Sequence, residues 1–250
     1  MTKIILSGCN GKMGHVIRSI VAQRDDCKIV AGVDINTEST DFPVYSSFGS
    51  ITEKADVVID FSHPSVLDSL LDYISETGIP AIISTTGYND DQTKKITDAA
   101  KTSSIFFSFN MSLGINLLLE LSKKAACILG DTFDIEIVEA HHNQKIDAPS
   151  GTAVMIANAI EDALNDDGYY PVYDRHSVRR KRDKKEIGIH SIRGGNIVGE
   201  HSVMFAGHDE IVSISHSARS KEVFAVGAVK AALFMVGKPA GMYSMKDMIG

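Results

Sequence analysis

The pattern in residues 1–34 is compatible with few folds. A short apolar run at residues 3–7 precedes a glycine-rich turn at residues 8–14, and a helical pattern follows that turn. A second apolar run at residues 28–33 then ends at Asp34. Strand, glycine turn, helix, strand and acid in this order predict the dinucleotide-binding unit of a Rossmann fold.

The glycines of this turn have a physical role in nucleotide binding. Gly8, Gly11 and Gly14 permit a tight turn and let a pyrophosphate approach the backbone and the start of the helix. Asp34 is placed to accept hydrogen bonds from the adenosine ribose hydroxyls. The spacing G-x-x-G-x-x-G is a variant of the usual fingerprint, and the turn alone would also fit an ordinary strand–turn–helix. The strand before the turn and the acid after it favour nucleotide binding.

The alternation of strands and helices continues along the first half of the chain. Apolar runs at residues 56–61, 81–84 and 104–109 predict strands, and helical patterns lie between them. This alternation predicts an α/β fold with a doubly wound parallel sheet, in which ligands bind beyond the carboxyl ends of the strands. Loops at these ends, which together predict a cofactor rim, are the glycine turn, Asp34, Ser62, residues 84–86 and residues 109–110.

The second half of the chain has a different arrangement. Helical patterns at residues 115–129 and 153–164 flank a strand pattern that ends at His141. Three further strand patterns follow at residues 187–192, 197–205 and 210–216. A last long helix is predicted at residues 221–236. Consecutive strands without intervening helices predict a separate α+β domain.

The loop between the strand ending at His141 and the next helix carries several reactive groups. Adjacent side chains on an extended backbone point to opposite sides, so His141 and His142 are expected to have different roles. Lys145 adds a positive charge, and the helix start at residues 149–152 offers unpaired N–H groups. These groups suit an anionic small molecule that accepts a proton. A surface histidine pair or a set of metal ligands is the alternative interpretation of this loop.

Composition excludes several classes of partner. The formal net charge of −7 over 250 residues argues against nucleic acid or an anionic membrane as the main partner. Cys9, Cys27 and Cys127 are odd in number and widely spaced, which indicates reduced thiols and neither a disulfide framework nor a zinc site. No secretory signal and no apolar stretch of about 20 residues is visible. We therefore expect a soluble, cytoplasmic protein.

A basic cluster lies at residues 179–185 in a polar segment of the second half. Such a cluster could attract an anionic substrate or a cofactor phosphate. A solvated loop is the more common interpretation of a charge run, and the overall negative charge disfavours a nucleic-acid patch. The sequence does not decide the role of this loop.

The motifs of the whole chain resemble one family, dihydrodipicolinate reductase, also called 4-hydroxy-tetrahydrodipicolinate reductase. Residues 139–153 read Glu-Ala-His-His-Asn-Gln-Lys-Ile-Asp-Ala-Pro-Ser-Gly-Thr-Ala and are similar to the family's signature over its length. Further similar segments are residues 8–14, 60–64, 85–87, 110–116, 192–201 and 224–228. The resemblance spans the N-terminal and the C-terminal halves alike.

The resemblance implies an NAD(P)H-dependent reduction of dihydrodipicolinate, formed from 4-hydroxy-tetrahydrodipicolinate, to tetrahydrodipicolinate in lysine and diaminopimelate biosynthesis. It makes His141 the proton donor or acceptor and Lys145 the second proton donor. It assigns contacts with the cyclic dicarboxylate substrate to His142, Gly151 and Thr152. The nucleotide contacts that it implies are Gly8, Cys9, Asn10, Gly11, Lys12, Met13, Asp34, Ser84, Thr85, Thr86, Ser108, Phe109, Asn110 and Met111.

The resemblance also implies an organisation of domains and subunits. Residues 1–112 and 222–250 would form the Rossmann-type dinucleotide-binding domain, and residues 113–221 an α+β domain for substrate binding and tetramerisation. Family members are usually homotetramers whose second-domain sheets join, and no metal ion is implied. Ser84 stands where members often have glycine.

Cofactor choice depends on the residues that follow Asp34. Ile35 and Asn36 come next, so no arginine stands beside Asp34 to receive a 2′-phosphate. Lys12 in the glycine turn could partly replace it. NADH is therefore the preferred cofactor, with NADPH as the alternative.

Three rival interpretations remain at this point. The first is another Rossmann-fold amino-acid dehydrogenase that shares the N-terminal half, which a substrate panel would distinguish. The second is a nucleotide-sensing regulator, which would need a DNA-reading module that the sequence does not reveal. The third is a metal site that uses His141 and His142 with His190 or His201, which metal analysis would detect.

Overall fold

A computed structural model describes residues 1–38, 41–165 and 168–250. The chain forms two compact units. Unit 1 comprises residues 1–113 and 221–250, and unit 2 comprises residues 114–220. The expected domain boundaries lie one residue away from these limits, and the roles assigned to the two domains remain predictions.

The described residues form twelve strands and seven α-helices. The strands are β1 (Thr2–Ser7), β2 (Cys27–Val33), β3 (Val44–Tyr45), β4 (Val57–Asp60), β5 (Ala81–Ile83), β6 (Ser104–Phe107), β7 (Asp134–His141), β8 (Tyr170–Val172), β9 (Glu186–Arg193), β10 (Gly199–Ala206), β11 (Ile211–Ala218) and β12 (Gly241–Tyr243). The helices are α1 (Lys12–Val21), α2 (Leu67–Thr77), α3 (Asp90–Ala99), α4 (Leu113–Leu129), α5 (Gly151–Ala163), α6 (Glu222–Met235) and α7 (Met245–Ile249). Short 3₁₀ helices lie at Phe48–Ser50 and Pro64–Val66.

Unit 1 contains an entirely parallel seven-stranded sheet in the order β12-β6-β5-β4-β1-β2-β3. The central strands β4 and β5 are continuous buried runs, as expected for strands covered by helices on both faces. From β3 to β6 the strand order is that of the Rossmann fold, with its switch point between β1 and β4. This confirms the predicted doubly wound sheet. The short strands β3 and β12 were not predicted, because two or three residues carry too little periodicity.

Helix α6 returns the chain to unit 1 and belongs to its core. Most of its buried residues are small, and they pack with α1 and the middle of the sheet. At Gly227 an added Cβ would lie 1.7 Å from the carbonyl oxygen of Met111, so only glycine permits this approach of helix and loop. Among the helices that the structure describes, none is long and apolar enough to span a bilayer.

Unit 2 contains a mixed five-stranded sheet in the order β11-β10-β7-β9-β8. Strand β10 is antiparallel to β7 and β11, whereas β9 is parallel to β7 and β8. Alternate residues such as Ile137 and Phe205 form a core with Ile156 and Ile160 of α5. The predicted α+β domain is confirmed, although the parallel β7–β9 pair required a crossover through α5 and β8.

Candidate active site

The glycine turn of unit 1 brings a loop, a helix start and a neighbouring strand end together. Gly8 has a φ of +76°, and an added Cβ would lie 2.2 Å from the carbonyl oxygen of Phe61. At Gly14 an added Cβ would lie 2.2 Å from the carbonyl oxygen of Gly8. Gly11 is the N-cap of α1 and supplies no side-chain acceptor to the helix start. Side chains are therefore excluded where a pyrophosphate would approach the helix N-terminus, as a dinucleotide requires.

Asp34 connects the glycine turn to the loop after β2. Its Oδ2 accepts a hydrogen bond of 2.9 Å from the N–H of Asn10, and its Oδ1 accepts one of 3.0 Å from the N–H of Asn36. The Asn10 side chain donates to the carbonyl oxygen of Asn36 at 2.7 Å. These bonds fix the carboxylate at the end of β2, where a ribose would meet it.

A cavity of about 450 Å³ lies at this end of the sheet. Gly8, Gly11 and Asp34 line it together with Ile35 and several serines. Its lining, as far as the structure describes it, contains no lysine or arginine. The described lining can accept hydrogen bonds from ribose hydroxyls but offers no lysine or arginine to a 2′-phosphate.

A second cavity of about 360 Å³ lies beyond β4, β5 and β6. The predicted nucleotide residues that line it are Met13, Ser84, Thr85, Thr86, Phe109 and Met111. The predicted residues Cys9, Asn10, Lys12, Ser108 and Asn110 lie in the same loops without lining either cavity. Cys9 is fully buried, and burial raises the pKa of its thiol to about 11, so its side chain belongs to the core. The two cavities fit the two halves of a dinucleotide.

In unit 2, a buried carboxylate holds His141 at the end of β7. Oε2 of Glu139 lies 2.6 Å from Nδ1 of His141. Two nitrogens of Arg193 donate to the Glu139 carboxylate at 2.8 and 2.7 Å, and the N–H of Ser150 donates to it at 3.1 Å. Burial by itself would raise the pKa of Glu139, but the hydrogen bonds from Arg193, Ser191, His141 and Ser150 outweigh it and lower that pKa to about 2. Glu139 is therefore ionised throughout the neutral range.

This contact assigns different tasks to the two nitrogens of His141. A carboxylate only accepts hydrogen bonds, so Nδ1 carries a hydrogen and Nε2 is the nitrogen that exchanges protons with a ligand. Gly199 keeps space beside that atom, since an added Cβ would lie 3.2 Å from Nε2. Burial lowers the pKa of His141, the charge of Lys145 lowers it further, and Glu139 opposes both effects. The imidazole is thus largely neutral near pH 7.

The loop after His141 is ordered by backbone bonds and one ion pair. The N–H of Lys145 donates to the carbonyl oxygen of His142 at 3.1 Å, and that of Asn143 donates to Gly195 at 3.2 Å. Nζ of Lys145 lies 2.8 Å from Oδ1 of Asp147. His142 is half-buried and adjoins the same loop. The structure thereby brings His141 and Lys145 into one electrostatic environment.

Helix α5 begins directly after this loop. Ser150 is its N-cap, and the hydroxyl of Ser150 accepts a hydrogen bond of 3.2 Å from the N–H of Ala153. Two N–H groups at this helix start, those of Ser150 and Ala153, are therefore satisfied within the protein. Gly151 is exposed, and nothing lies within 4 Å of the position that a Cβ would take. Carboxylate binding by Gly151 and Thr152 remains a prediction that this open helix start accommodates.

His201 on β10 completes the cluster. Its ring lies 5.2 Å from that of His141, centroid to centroid, and its Nε2 lies 3.0 Å from the Ser150 hydroxyl. Burial is the main cause that lowers the pKa of His201 to about 4; electrostatic interaction with His141 lowers it further, and the negative charge of Glu139 opposes the shift. His201 is thus a neutral, buried support for Ser150 and His141. Over the described residues, no three or more His, Cys, Asp or Glu side chains are arranged to hold a metal ion.

The basic cluster of residues 179–185 lies partly against the sheet of unit 2. Arg182 contacts carboxylate oxygens of Asp134 at 3.1 Å and Glu136 at 3.0 Å. Arg180 contacts the buried Glu186 at 3.1 Å. Neither predicted interpretation anticipated these ion pairs, which neutralise part of the cluster and leave less charge to attract an anion.

Sequence reasoning gave no role to Glu139 or Arg193, and it considered His201 only as a ligand in a rival metal site. Glu139 stands two positions before His141, and this period of two places both side chains on one face of β7, so the spacing was an available signal. Arg193 and His201 come from β9 and β10. Their pairing with β7 is set by the sheet register, which no local pattern reveals.

Two family profiles match the chain over nearly its full length. The profile described as dihydrodipicolinate reductase, N-terminus, matches residues 2–111. The profile described as dihydrodipicolinate reductase, C-terminus, matches residues 114–249.

Similar proteins and structures agree with these profiles. The 4-hydroxy-tetrahydrodipicolinate reductase of Caldanaerobacter subterraneus subsp. tengcongensis is 50% identical, covering 100% of this chain and 98% of that protein. The protein of the same name from Clostridium novyi is 48% identical with the same coverage. A solved structure of dipicolinate-bound dihydrodipicolinate reductase from Paenisporosarcina sp. TG-14 has a TM-score of 0.81 at 24% identity, covering 98% of this chain and 97% of that one. At that identity the likeness concerns the fold alone.

Proposed function

This chain belongs to the dihydrodipicolinate reductase family, and we propose that it reduces dihydrodipicolinate, formed from 4-hydroxy-tetrahydrodipicolinate, to tetrahydrodipicolinate. The family is one of NAD(P)H-dependent oxidoreductases, and its role in lysine and diaminopimelate biosynthesis follows from membership. The observation that carries the proposal is the 2.6 Å contact between Glu139 and His141 beside the open start of α5. It combines a proton-exchanging nitrogen with a site for an anion.

The protein itself binds the substrate and transfers protons to it. The bound nicotinamide nucleotide supplies the hydride. His142, Gly151 and Thr152 hold the ring carboxylates, the last two through the positive end of α5. Lys145 and Nε2 of His141 supply and relay the proton that the ring takes up, and the charge of Lys145 stabilises the negative charge that hydride addition creates.

NADH is the preferred cofactor in this proposal. Asp34 and the absence of lysine and arginine from the described lining of the adenosine-side cavity support it, because a 2′-phosphate would meet a carboxylate there. Lys12 is exposed in the glycine turn and could partly compensate. Comparing kcat/KM for NADH and NADPH tests the preference. Ile35→Arg should shift the ratio toward NADPH, since it places a guanidinium beside the ribose.

We further propose a homotetramer in which the sheets of unit 2 join. The sheet face opposite α5 supports this, because Ile192 and Ile211 on that face are 52% and 63% exposed. Light scattering coupled to size-exclusion chromatography measures the assembly. Ile211→Asp should reduce the mass to a smaller assembly, whereas a monomeric wild-type protein would contradict the proposal.

The reaction itself is tested in a coupled assay. The chain is mixed with dihydrodipicolinate synthase, pyruvate and aspartate semialdehyde, and NADH or NADPH absorbance is followed. Loss of absorbance that requires the synthase supports the reaction. If folded protein binds NADH but consumes none, the reaction is wrong while the nucleotide site stands, and a panel of amino-acid substrates becomes the next test.

A further inference from the structure

Three carboxylates are buried in the part of the chain that the structure describes: Asp60, Glu139 and Glu186. Glu139 pairs with Arg193, and Glu186 pairs with Arg175 and with Arg180 of the basic cluster. Asp60, which is 1% exposed, differs because no lysine, arginine or histidine among the described residues forms an ion pair with it. A buried charge without a counter-ion is costly, so its surroundings need an explanation.

Two short hydrogen bonds from hydroxyl groups hold the Asp60 carboxylate. Ser62 Oγ donates to Oδ1 at 2.5 Å, and Thr85 Oγ1 donates to Oδ2 at 2.6 Å. Thr85 Oγ1 in turn accepts the N–H of Ser62 at 2.8 Å. Short O–H···O distances to both oxygens are typical of an ionised carboxylate. Burial is the largest influence and raises the pKa of Asp60, and the hydroxyls of Ser62, Ser7, Thr85 and Tyr88 oppose that shift.

Asp60 lies at the end of β4, next to the switch point of the sheet. In a Rossmann fold the two halves of the dinucleotide lie on the two sides of this point. Asp34, at the end of β2, marks the adenosine side, so the cavity beyond β4 and β5 is the nicotinamide side. Thr85 lines that cavity alone, whereas Ser62 lines both cavities, so the Asp60 carboxylate lies behind the nicotinamide-side wall with only the Thr85 hydroxyl between them.

We propose that Asp60 supplies an unpaired negative charge behind the nicotinamide site, which favours the positively charged oxidised ring over the neutral reduced ring. The same attraction stabilises the positive charge that the ring gains as hydride leaves. Lys221 lines the same cavity with the opposite charge, but it is exposed and screened by solvent. At an effective dielectric constant near 20, a charge one hydroxyl away changes the relative affinity of the two rings by about tenfold or more.

This role of Asp60 requires the nucleotide site but not the identity of the imine that is reduced. It is tested by titrating the full-length protein at pH 8 with NAD⁺, NADH and ADP-ribose, which lacks the ring. Asp60→Asn should raise the Kd of NAD⁺ by a factor about ten times larger than the factor for NADH. The Kd of ADP-ribose should be nearly unchanged. These titrations contain no substrate, so they test the role of Asp60 independently of the reductase activity. The protein could show the expected nucleotide affinities without reducing dihydrodipicolinate, or reduce it without showing them.

Two matched variants distinguish the effect of the Asp60 charge from a general disturbance of the nucleotide site. Asp34→Asn makes the same substitution on the adenosine side and should weaken NAD⁺, NADH and ADP-ribose alike. Asp68→Asn neutralises an exposed carboxylate of α2 that lines neither cavity, and it should leave the NAD⁺ to NADH ratio within about twofold of wild type. If Asp60→Asn does not give a cooperative unfolding transition, Asp60→Ser removes the same charge with a smaller side chain. An unchanged NAD⁺ to NADH ratio in a folded neutral variant, or an equal loss of ADP-ribose, would overturn the proposal.

Discussion

Oε2 of Glu139 lies 2.6 Å from Nδ1 of His141, and Arg193 holds the same carboxylate through two nitrogens at 2.8 and 2.7 Å. The three side chains come from β7 and β9 and form a continuous chain of hydrogen bonds. Arg193 fixes the carboxylate, and the carboxylate fixes the ring and its hydrogen. The direction in which His141 can exchange a proton is therefore set by a residue that need not touch the substrate.

Replacing Glu139 should impair turnover more than nucleotide binding. Glu139→Gln keeps the shape of the side chain but removes the negative charge that orients and supports His141, so we expect kcat to fall about 10- to 100-fold. The Kd of NADH should change little, because the nucleotide site lies in unit 1. Steady-state kinetics and NADH titration measure both quantities. Glu136→Gln, on the other face of β7, is the matched control, and an equal loss of kcat in that variant would contradict the assignment.

His201 should make the protein less stable as the pH falls. Its pKa is about 4 in the folded state, below the ordinary histidine value of 6.5 that applies to the unfolded chain. Between these values the unfolded chain binds the proton and the folded protein does not, so the free energy of unfolding decreases as the pH falls from 6.5 to about 4. Urea denaturation at several pH values measures this slope. This slope reports the number of protons that the protein takes up on unfolding, and His201→Gln should lower that number by about one. A slope equal to that of wild type would be inconsistent with a buried neutral His201.

Lys145 should contribute to chemistry and not to nucleotide binding. Lys145→Ala removes a proton donor and the positive charge near His141, so turnover should fall about 100-fold or more while the Kd of NADH stays within about twofold. Lys123, which pairs with Glu120 at 3.0 Å, provides a matched control in the same unit. Lys123→Ala should keep full turnover. Wild-type turnover in Lys145→Ala would remove this residue from the mechanism.

Gly8 should not tolerate any side chain. Gly8→Ala combines a strained φ of +76° with a Cβ only 2.2 Å from a backbone oxygen, so it should lower the free energy of unfolding by about 2 kcal/mol or more and abolish NADH binding. Gly49 has nothing within 4 Å of an added Cβ. Gly49→Ala should therefore bind NADH like wild type. Denaturant unfolding and NADH titration report on both variants, and tight binding by Gly8→Ala would refute the close packing of this turn.

Local patterns predicted much of this molecule because the relevant interactions are close in sequence. The strand, glycine turn and acid of residues 1–34 lie within one βαβ unit, and the alternation to residue 107 fixed the sheet type. The strand before His141 and the helix after Ser150 were also predicted from periodicity and capping residues. Very short strands such as β3 and β8 were not predicted, because they are strands through pairing with a neighbouring strand and not through their own sequence.

The sequence by itself determined the fold class, the family and the loop that carries His141 and Lys145, since each depends on residues that are near one another along the chain. Only the tertiary structure decided which groups support them. Arg193 and His201 reach the site through strand register, and Asp60 reaches Thr85 across neighbouring parallel strands. The physical reason is that hydrogen bonds, burial and charge act over a few ångströms in space, and folding brings Glu139 and Arg193 together although they are 54 residues apart in the sequence.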